Sequence, residues 1–165
     1  MEPVSILDAL AKAVPAANAQ AVPAVDMETI LVDRDAIVDV CRFLRDDPAL
    51  QFGFLSDLIG VDLLPQEPRF EIVYLLVALG PAFLTASNTT AAPARRLRLK
   101  VRVPHHAAED GAAGDPPRLP SVSSVWPAAA WPEREVFDLF GIAFTDHPNL
   151  QRLLMTDDLE GHPLR

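Results

Sequence analysis

The spacing of apolar residues changes period several times along the chain, and each change marks an element. Val4, Ile6, Leu7, Leu10 and Val14 recur at helical spacing and predict a short amphipathic helix over 4–13. Pro15 through Pro23 is Ala/Pro-rich and reads as a loose connection. Glu28 to Val32 predicts a strand, and Asp33 is placed to cap a helix from about Arg34 to Asp46, with Ile37, Val40, Cys41 and Leu44 inward. Asp47-Pro48 ends it, because the residue before proline is pushed out of helical geometry. Leu50 to Leu64 fits a strand, a short helix or a strand–turn–strand. Two strong strands follow, Arg69 to Val77 and Arg95 to Val103; the second alternates basic and apolar residues strictly, so it has one wet face. Between them, 80–94 reads as a long hairpin loop, and 104–120, with His105 and His106, as a polar loop.

The last forty residues break this regularity. A helix is predicted from about Ala128 to Phe140, with Pro132 near its first turn. Glu133 and Glu135 sit at the positive end of its dipole. Arg134 and Asp138 are four apart and able to pair, and Val136, Phe137 and Phe140 form the apolar stripe. Gly141 closes the helix, Ile142 to Phe144 restarts as extended chain, and Asp146-His147-Pro148-Asn149 is a turn. Leu150, Leu153, Leu154 and Met155 precede the acidic turn at Asp157-Asp158. A stretch this rich in bulky apolar groups yet broken by Gly and Pro reads as a helix plus an extended arm that lies on a partner. The whole pattern predicts an α+β fold with a mixed or antiparallel sheet, flanking helices and an extended C-terminal arm. The expected divisions are an N-terminal helix and connection over 1–27, an α+β domain over 28–124, and a helix plus partner-binding arm over 125–165.

Composition narrows the function. The chain has 165 residues, half of them apolar, and a net charge of −9. That charge argues against nucleic acid, which requires a basic face, and against adhesion to anionic lipid. Lys12 and Lys100 are the lysines of an otherwise arginine-dominated basic set. No apolar run approaches the ~20 residues of a membrane span, and the N-terminus lacks a signal-peptide pattern. Cys41 is the one cysteine; it cannot hold an iron–sulfur cluster alone and belongs to a helix's apolar stripe. The cations Arg95, Arg96, Arg98, Lys100 and Arg102 read either as a solvated strand face or as a docking face for an acidic partner.

Catalytic readings are weak. His147, His162, Asp157, Asp158 and Glu160 match no compact metal-ligand spacing, and both histidines precede a proline. Glu133 and Glu135 are two apart on a helix and do not face each other, so they make a poor acid–base pair. Nucleotide-binding glycine patterns, a nucleophile elbow and a metalloprotease motif are absent from the sequence. A stand-alone metal or acid–base enzyme is therefore disfavoured, and the chain reads as free of cofactor.

The segment Trp131-Pro132-Glu133-Arg134-Glu135-Val136-Phe137-Asp138-Leu139-Phe140-Gly141-Ile142 resembles the signature of the C-subunit family of proton-translocating NADH-quinone oxidoreductase, respiratory complex I. His147-Pro148-Asn149-Leu150-Gln151-Arg152-Leu153-Leu154-Met155, Asp157-Asp158 and Glu160-Gly161-His162-Pro163-Leu164-Arg165 resemble its continuation. Leu58 to Asp62, Arg69 to Tyr74, Ser121-Val122 and Val125-Trp126-Pro127 resemble its earlier landmarks, whereas Ala130, Pro132, Asn149 and Gln151 depart from the pattern. The resemblance implies a cofactor-free component of the peripheral arm, packed against the quinone-site subunit and the subunit that bears the terminal iron–sulfur cluster. It implies a place on the cytoplasmic face of the inner (plasma) membrane, in a complex using NADH, FMN, iron–sulfur clusters and quinone. An equivalent subunit of a related membrane-bound hydrogenase or ferredoxin-driven complex is the alternative. The motif residues expected to meet partners are Trp126, Trp131, Glu133, Arg134, Glu135, Phe137, Asp138, Phe140, Gly141, His147, Pro148, Arg152, Asp157, Asp158, Glu160, Gly161, His162, Pro163 and Arg165.

Overall fold

The computed structural model describes residues 5–79, 94–105 and 116–165. Its centre is a five-stranded mixed sheet in the order β1-β2-β5-β4-β3, formed by β1 (Gln20–Ala21), β2 (Glu28–Val32), β3 (Phe54–Asp62), β4 (Phe70–Ala78) and β5 (Arg95–Val103). Strand β2 runs parallel to β5, and the other pairings are antiparallel. A two-stranded parallel sheet joins β6 (Arg118–Pro120) to β7 (Ala143–Thr145). The strict alternation in β5 has the expected consequence: Leu97, Leu99, Val101 and Val103 are buried, and Arg96, Arg98, Lys100 and Arg102 face the other way, whereas Arg95 departs from the basic face and lies over the Phe52 ring on the inner side.

Among the described residues, three helices cover the inner face of the large sheet. In α1 (Ile6–Ala13), Ser5 caps the N-terminus by accepting from the Asp8 N–H, and Ile6 and Leu10 point into the core. Helix α2 (Ile37–Asp46) buries Ile37, Val40, Cys41 and Leu44, and Asp47 ends it as expected. Helix α3 (Ala130–Phe140) follows a short 3₁₀ turn at Pro127–Ala129. Its Val136 and Phe140 pack over Gly60 of β3, where an added Cβ would lie 2.9 Å from the Phe140 ring. Tyr74, Phe70, Phe52 and Ile72 are fully enclosed between these layers.

The structure settles several open or mistaken readings. The ambiguous segment from Leu50 contains strand β3, with a bulge between Leu55 and Asp57. The connection over 15–23 is more ordered than its composition predicts: it contains a 3₁₀ turn at Pro15–Ala17 and the edge strand β1. Ile6, Leu10, Ala17, Val125, Trp126 and Phe140, which flank the divisions expected after 27 and after 124, belong to the same core as the central strands. Asp33 precedes a 3₁₀ turn at Arg34–Ala36 and does not cap it through its side chain; its carboxylate accepts from the Asn18 amide and ties down the N-terminal segment. The expected loops at 80–94 and 104–120 lie mostly outside the described residues, as does His106; His105 meets the Phe70 ring edge-on. Among the described residues, no helix is long and apolar enough to cross a membrane.

Candidate partner-binding surface

Two buried carboxylates organise the C-terminal region, one at each end of α3. Glu133 lies in the first helical turn and is wholly buried. One of its oxygens accepts from the Val122 N–H at 2.8 Å, and the other lies 2.6 Å from the Ser121 hydroxyl. His147 Nε2 comes within 3.8 Å of the same carboxylate and bonds the Ala130 carbonyl at 3.0 Å. Because the Asn149 N–H donates to His147 Nδ1, the pattern assigns the tautomer with hydrogen on Nε2. Burial pushes the Glu133 carboxyl up to about 7, against the downward pull of the bonds from Ser121 and Val122.

Asp138, at the other end of α3, is also buried. Its Oδ2 accepts the N–H groups of Leu153, Leu154 and Met155 at 2.9, 2.7 and 2.8 Å, and its Oδ1 accepts from Arg152 at 3.1 Å. Burial alone would raise the Asp138 carboxyl, but the three N–H groups and the Arg152 guanidinium outweigh it and hold the group below the usual range. Arg152 also donates to the carbonyls of Leu159 and Gly161, so one side chain ties two points of the tail to α3. The expected Arg134–Asp138 pair is therefore absent. Asp138 is fully engaged by backbone and Arg152, while Arg134 donates to the carbonyls of Gln151 and Arg152 and stacks over Trp131.

Gly141 ends α3 with φ of +67°, a left-handed cap that only glycine adopts without penalty. The tail closes against this terminus. Arg165 donates to the carbonyls of Phe140 and Gly141, His162 Nδ1 bonds the Asp138 carbonyl, and the Leu164 N–H donates to the Leu139 carbonyl. The guanidinium thereby meets the negative end of the helix dipole. The arm expected to reach away thus folds back in part on its own helix, because α3 has carbonyls and a carboxylate that the tail satisfies.

What the tail does not bury is as informative. Trp131, Leu154, Leu159 and Leu164 are 65, 55, 39 and 50 % exposed, a share of large apolar surface concentrated beside α3 and beyond. Glu135, Pro148, Asp157, Asp158, Glu160, Gly161 and Pro163 are exposed around them, and Phe137 is half-buried with His162 at its edge. Of the residues expected at a partner surface, Trp126, Glu133, Asp138, Phe140 and Gly141 are buried within the chain, and the side chain of His147 is enclosed. They shape the surface from beneath. Their partners Ser121 and Val122, and the exposed leucines, lie outside the expected set. Ser121-Val122 carries a signal as a family landmark, while the leucines follow no period.

Among the described residues, no three His, Cys, Asp or Glu side chains gather as a metal site. Cys41 is enclosed, and burial together with the nearby Glu133 pushes its thiol well up, which keeps it protonated. The arrangement offers a rigidly supported apolar surface.

Residues 30–165 match the family model described as respiratory-chain NADH dehydrogenase, 30 Kd subunit. The C subunit of NADH-quinone oxidoreductase from Roseiflexus sp. (strain RS-1) is 47 % identical over 137 residues, covering 83 % of this chain and 67 % of the relative. The C 2 subunit of the same oxidoreductase from Rhizobium etli (strain CIAT 652) is 43 % identical over 139 residues, covering 84 % of this chain and 63 % of the relative. A solved trypsin-resistant fragment of Nqo5 superposes with a TM-score of 0.60 at 29 % identity, covering 88 % of this chain and all of the fragment. A chain of an archaeal membrane-bound sulfane sulfur reductase shares the fold, with a TM-score of 0.63 at 24 % identity over 93 % of this chain and 76 % of its own. The chain belongs to the 30 kDa subunit family of respiratory-chain NADH dehydrogenase, the C subunits of NADH-quinone oxidoreductase.

Proposed function

We propose that the chain is a cofactor-free subunit of the peripheral arm of an NADH-quinone oxidoreductase. It supports electron transfer from NADH to quinone, coupled to proton translocation, by fixing the positions of its neighbours. Those neighbours are the quinone-site subunit and the subunit with the terminal iron–sulfur cluster. The complex supplies NADH, FMN, clusters and quinone, and this chain sits on its cytoplasmic face without entering the membrane.

One observation carries the reading. Trp131, Leu154, Leu159 and Leu164 stay exposed although Trp131 lies in α3 and the backbone of the three leucines is held, by Asp138, Arg152 and the Leu139 carbonyl in turn. An exposed leucine on a loose tail costs little to tolerate. Several held in place form the kind of apolar, aromatic-anchored patch that marks a stable interface. Because the tail is ordered before contact, less conformational entropy is lost on docking.

The test is affinity isolation of the tagged chain from membranes, with and without the double change Leu154→Asp and Leu159→Asp. Co-purifying sister subunits and NADH:quinone activity are expected to fall about tenfold or more, since a desolvated charge at such a contact costs over about 1.4 kcal/mol. The melting temperature of the isolated chain should hold, because both side chains already face water. Undiminished recovery of the complex would overturn the proposal.

A further inference from the structure

Among the described residues, no helix lies over the outer face of the large sheet, where Phe54 and Ile59 are exposed while Val73 and Glu71 are buried among their neighbours. The helices among the described residues lie on the side of Tyr74, Ile72 and Gly60: Ile6 and Leu10 of α1 join the same core cluster, the Cys41 thiol and Glu133 act electrostatically on Tyr74, and Phe140 and Val136 lie over Gly60. The opposite face follows from the register. Its rows are Phe54–Val77–Arg96, Asp57–Leu75–Arg98, Ile59–Val73–Lys100 and Val61–Glu71–Arg102. A solvated face would carry polar residues on all three strands. Here β3 and β4 present mostly apolar side chains, and the cations are confined to β5. Phe54 is 51 % and Ile59 41 % exposed.

Two features give this face a direction. A shallow groove runs over Leu75 and Val77, bordered by Met27, Ser56, Leu79 and Arg96. The charges around it are unbalanced. Lys100 and Arg102 share the buried Glu71 at 2.8 and 2.9 Å, and Arg98 pairs with Asp26 at 2.6 Å, but Arg96 is exposed and makes no ion pair to a described residue. A positive row beside an apolar strip, on a chain whose net charge is −9, is complementary to a partner that is apolar on one side and acidic on the next.

We infer that this face docks an acidic amphipathic helix of a sister subunit, its apolar stripe on Leu75, Val77 and Ile59 and its carboxylates toward Arg96 and Arg98. Strands lie about 4.8 Å apart and a helix is about 10 Å wide, so one helix spans β4 and reaches both the β3 apolar residues and the β5 cations. The inference rests on the reading that the chain works within a complex, but it concerns a surface separate from the tail.

The experiment places a photo-crosslinking amino acid at Ile59, and separately at Leu159, in the tagged chain within native membranes. Irradiation at position 59 is expected to capture a sister-subunit peptide with apolar residues at helical spacing flanked by Asp and Glu. Adding Arg96→Glu should cut the yield about tenfold while the chain's melting temperature holds, because no described ion pair is lost. Capture at 159 with none at 59, or capture at 59 of the chain's own residues or of a segment lacking acidic groups, would overturn the sheet docking and leave the tail interface standing. Capture at neither position would overturn both.

Discussion

Glu133 is a carboxylate placed where ionisation is costly, and its environment makes a definite statement about pH. Its folded-state value of about 7 lies above the 4.5 of a free glutamate, with burial as the main cause. A raised acid binds its proton more tightly in the folded chain, so the stability it contributes is full below pH 4.5 and is lost as pH rises through 7. The stability of the isolated chain is therefore expected to fall by about 3 kcal/mol between those limits from this group alone. Glu133→Gln should flatten that slope, since an amide can accept from the Val122 N–H and donate to the Ser121 hydroxyl without charge. Denaturant titrations from about pH 4.5 to 8.5 check this; an equally steep fall in the variant would show that another group is responsible. At the far end of the same helix, Gly141→Ala forces a Cβ into a left-handed residue and against the His162 ring. The backbone term alone is about 1–2 kcal/mol, and the displaced imidazole should loosen the last residues. A melting temperature indistinguishable from wild type would contradict it.

The tail and α3 form one element pair held by Asp138. Replacing it with alanine strips an acceptor from three N–H groups and leaves Arg152 without its carboxylate, a loss on the order of 3 kcal/mol. The effect should be local: faster amide exchange at Leu153, Leu154 and Met155, and easier cleavage after Arg152, with α3 retained. Because the folded-state Asp138 carboxyl is depressed, acid should reproduce the variant, the tail loosening as pH falls through and below the free-aspartate range. Unchanged exchange at those amides would refute the latch. This pair also shows why parts of the molecule are legible in sequence and parts are not. Strand β5 and helix α2 announce themselves because side-chain period alone decides which residues are buried. The cap at Gly141 is legible because one residue type satisfies it. Asp138 holds backbone N–H groups, which nearly every residue carries, so no spacing of side chains betrays the contact. The inward turn of the tail escapes the pattern for that reason, and helical spacing pairs Arg134 with the wrong group. The family motif marks these residues without revealing whether they face inward or outward.

At the scale of the whole molecule, the apolar residues of both termini converge on one core. Ile6, Leu10 and Ala17 are at most 1 % exposed, and they lie in the same cluster as Val101, Tyr74 and Phe140. The loose-looking N-terminal segment is therefore structural, and the well-marked C-terminal tip is less so, since Leu159 and Leu164 remain in water. Two truncations of modest length should separate these roles. Removing residues 1–19 withdraws Ile6, Leu10 and Ala17 and opens the Asn18–Asp33 bond. The expected loss is on the order of 5 kcal/mol, from two large buried side chains and the cavity they leave. That is comparable with the total stability of a domain this size, about 5–15 kcal/mol. The shortened chain should lose its cooperative transition, and buried Trp126 should become accessible to quencher. Removing residues 156–165 gives up the part-buried bonds of Arg165 and His162 but no fully buried apolar side chain, so the melting temperature should fall while one cooperative transition persists. The pair of melts, followed by tryptophan emission and by far-ultraviolet circular dichroism, decides the matter. If 20–165 melts like the full chain, the N-terminal segment is an attachment after all, and the shared core is smaller than its contacts indicate.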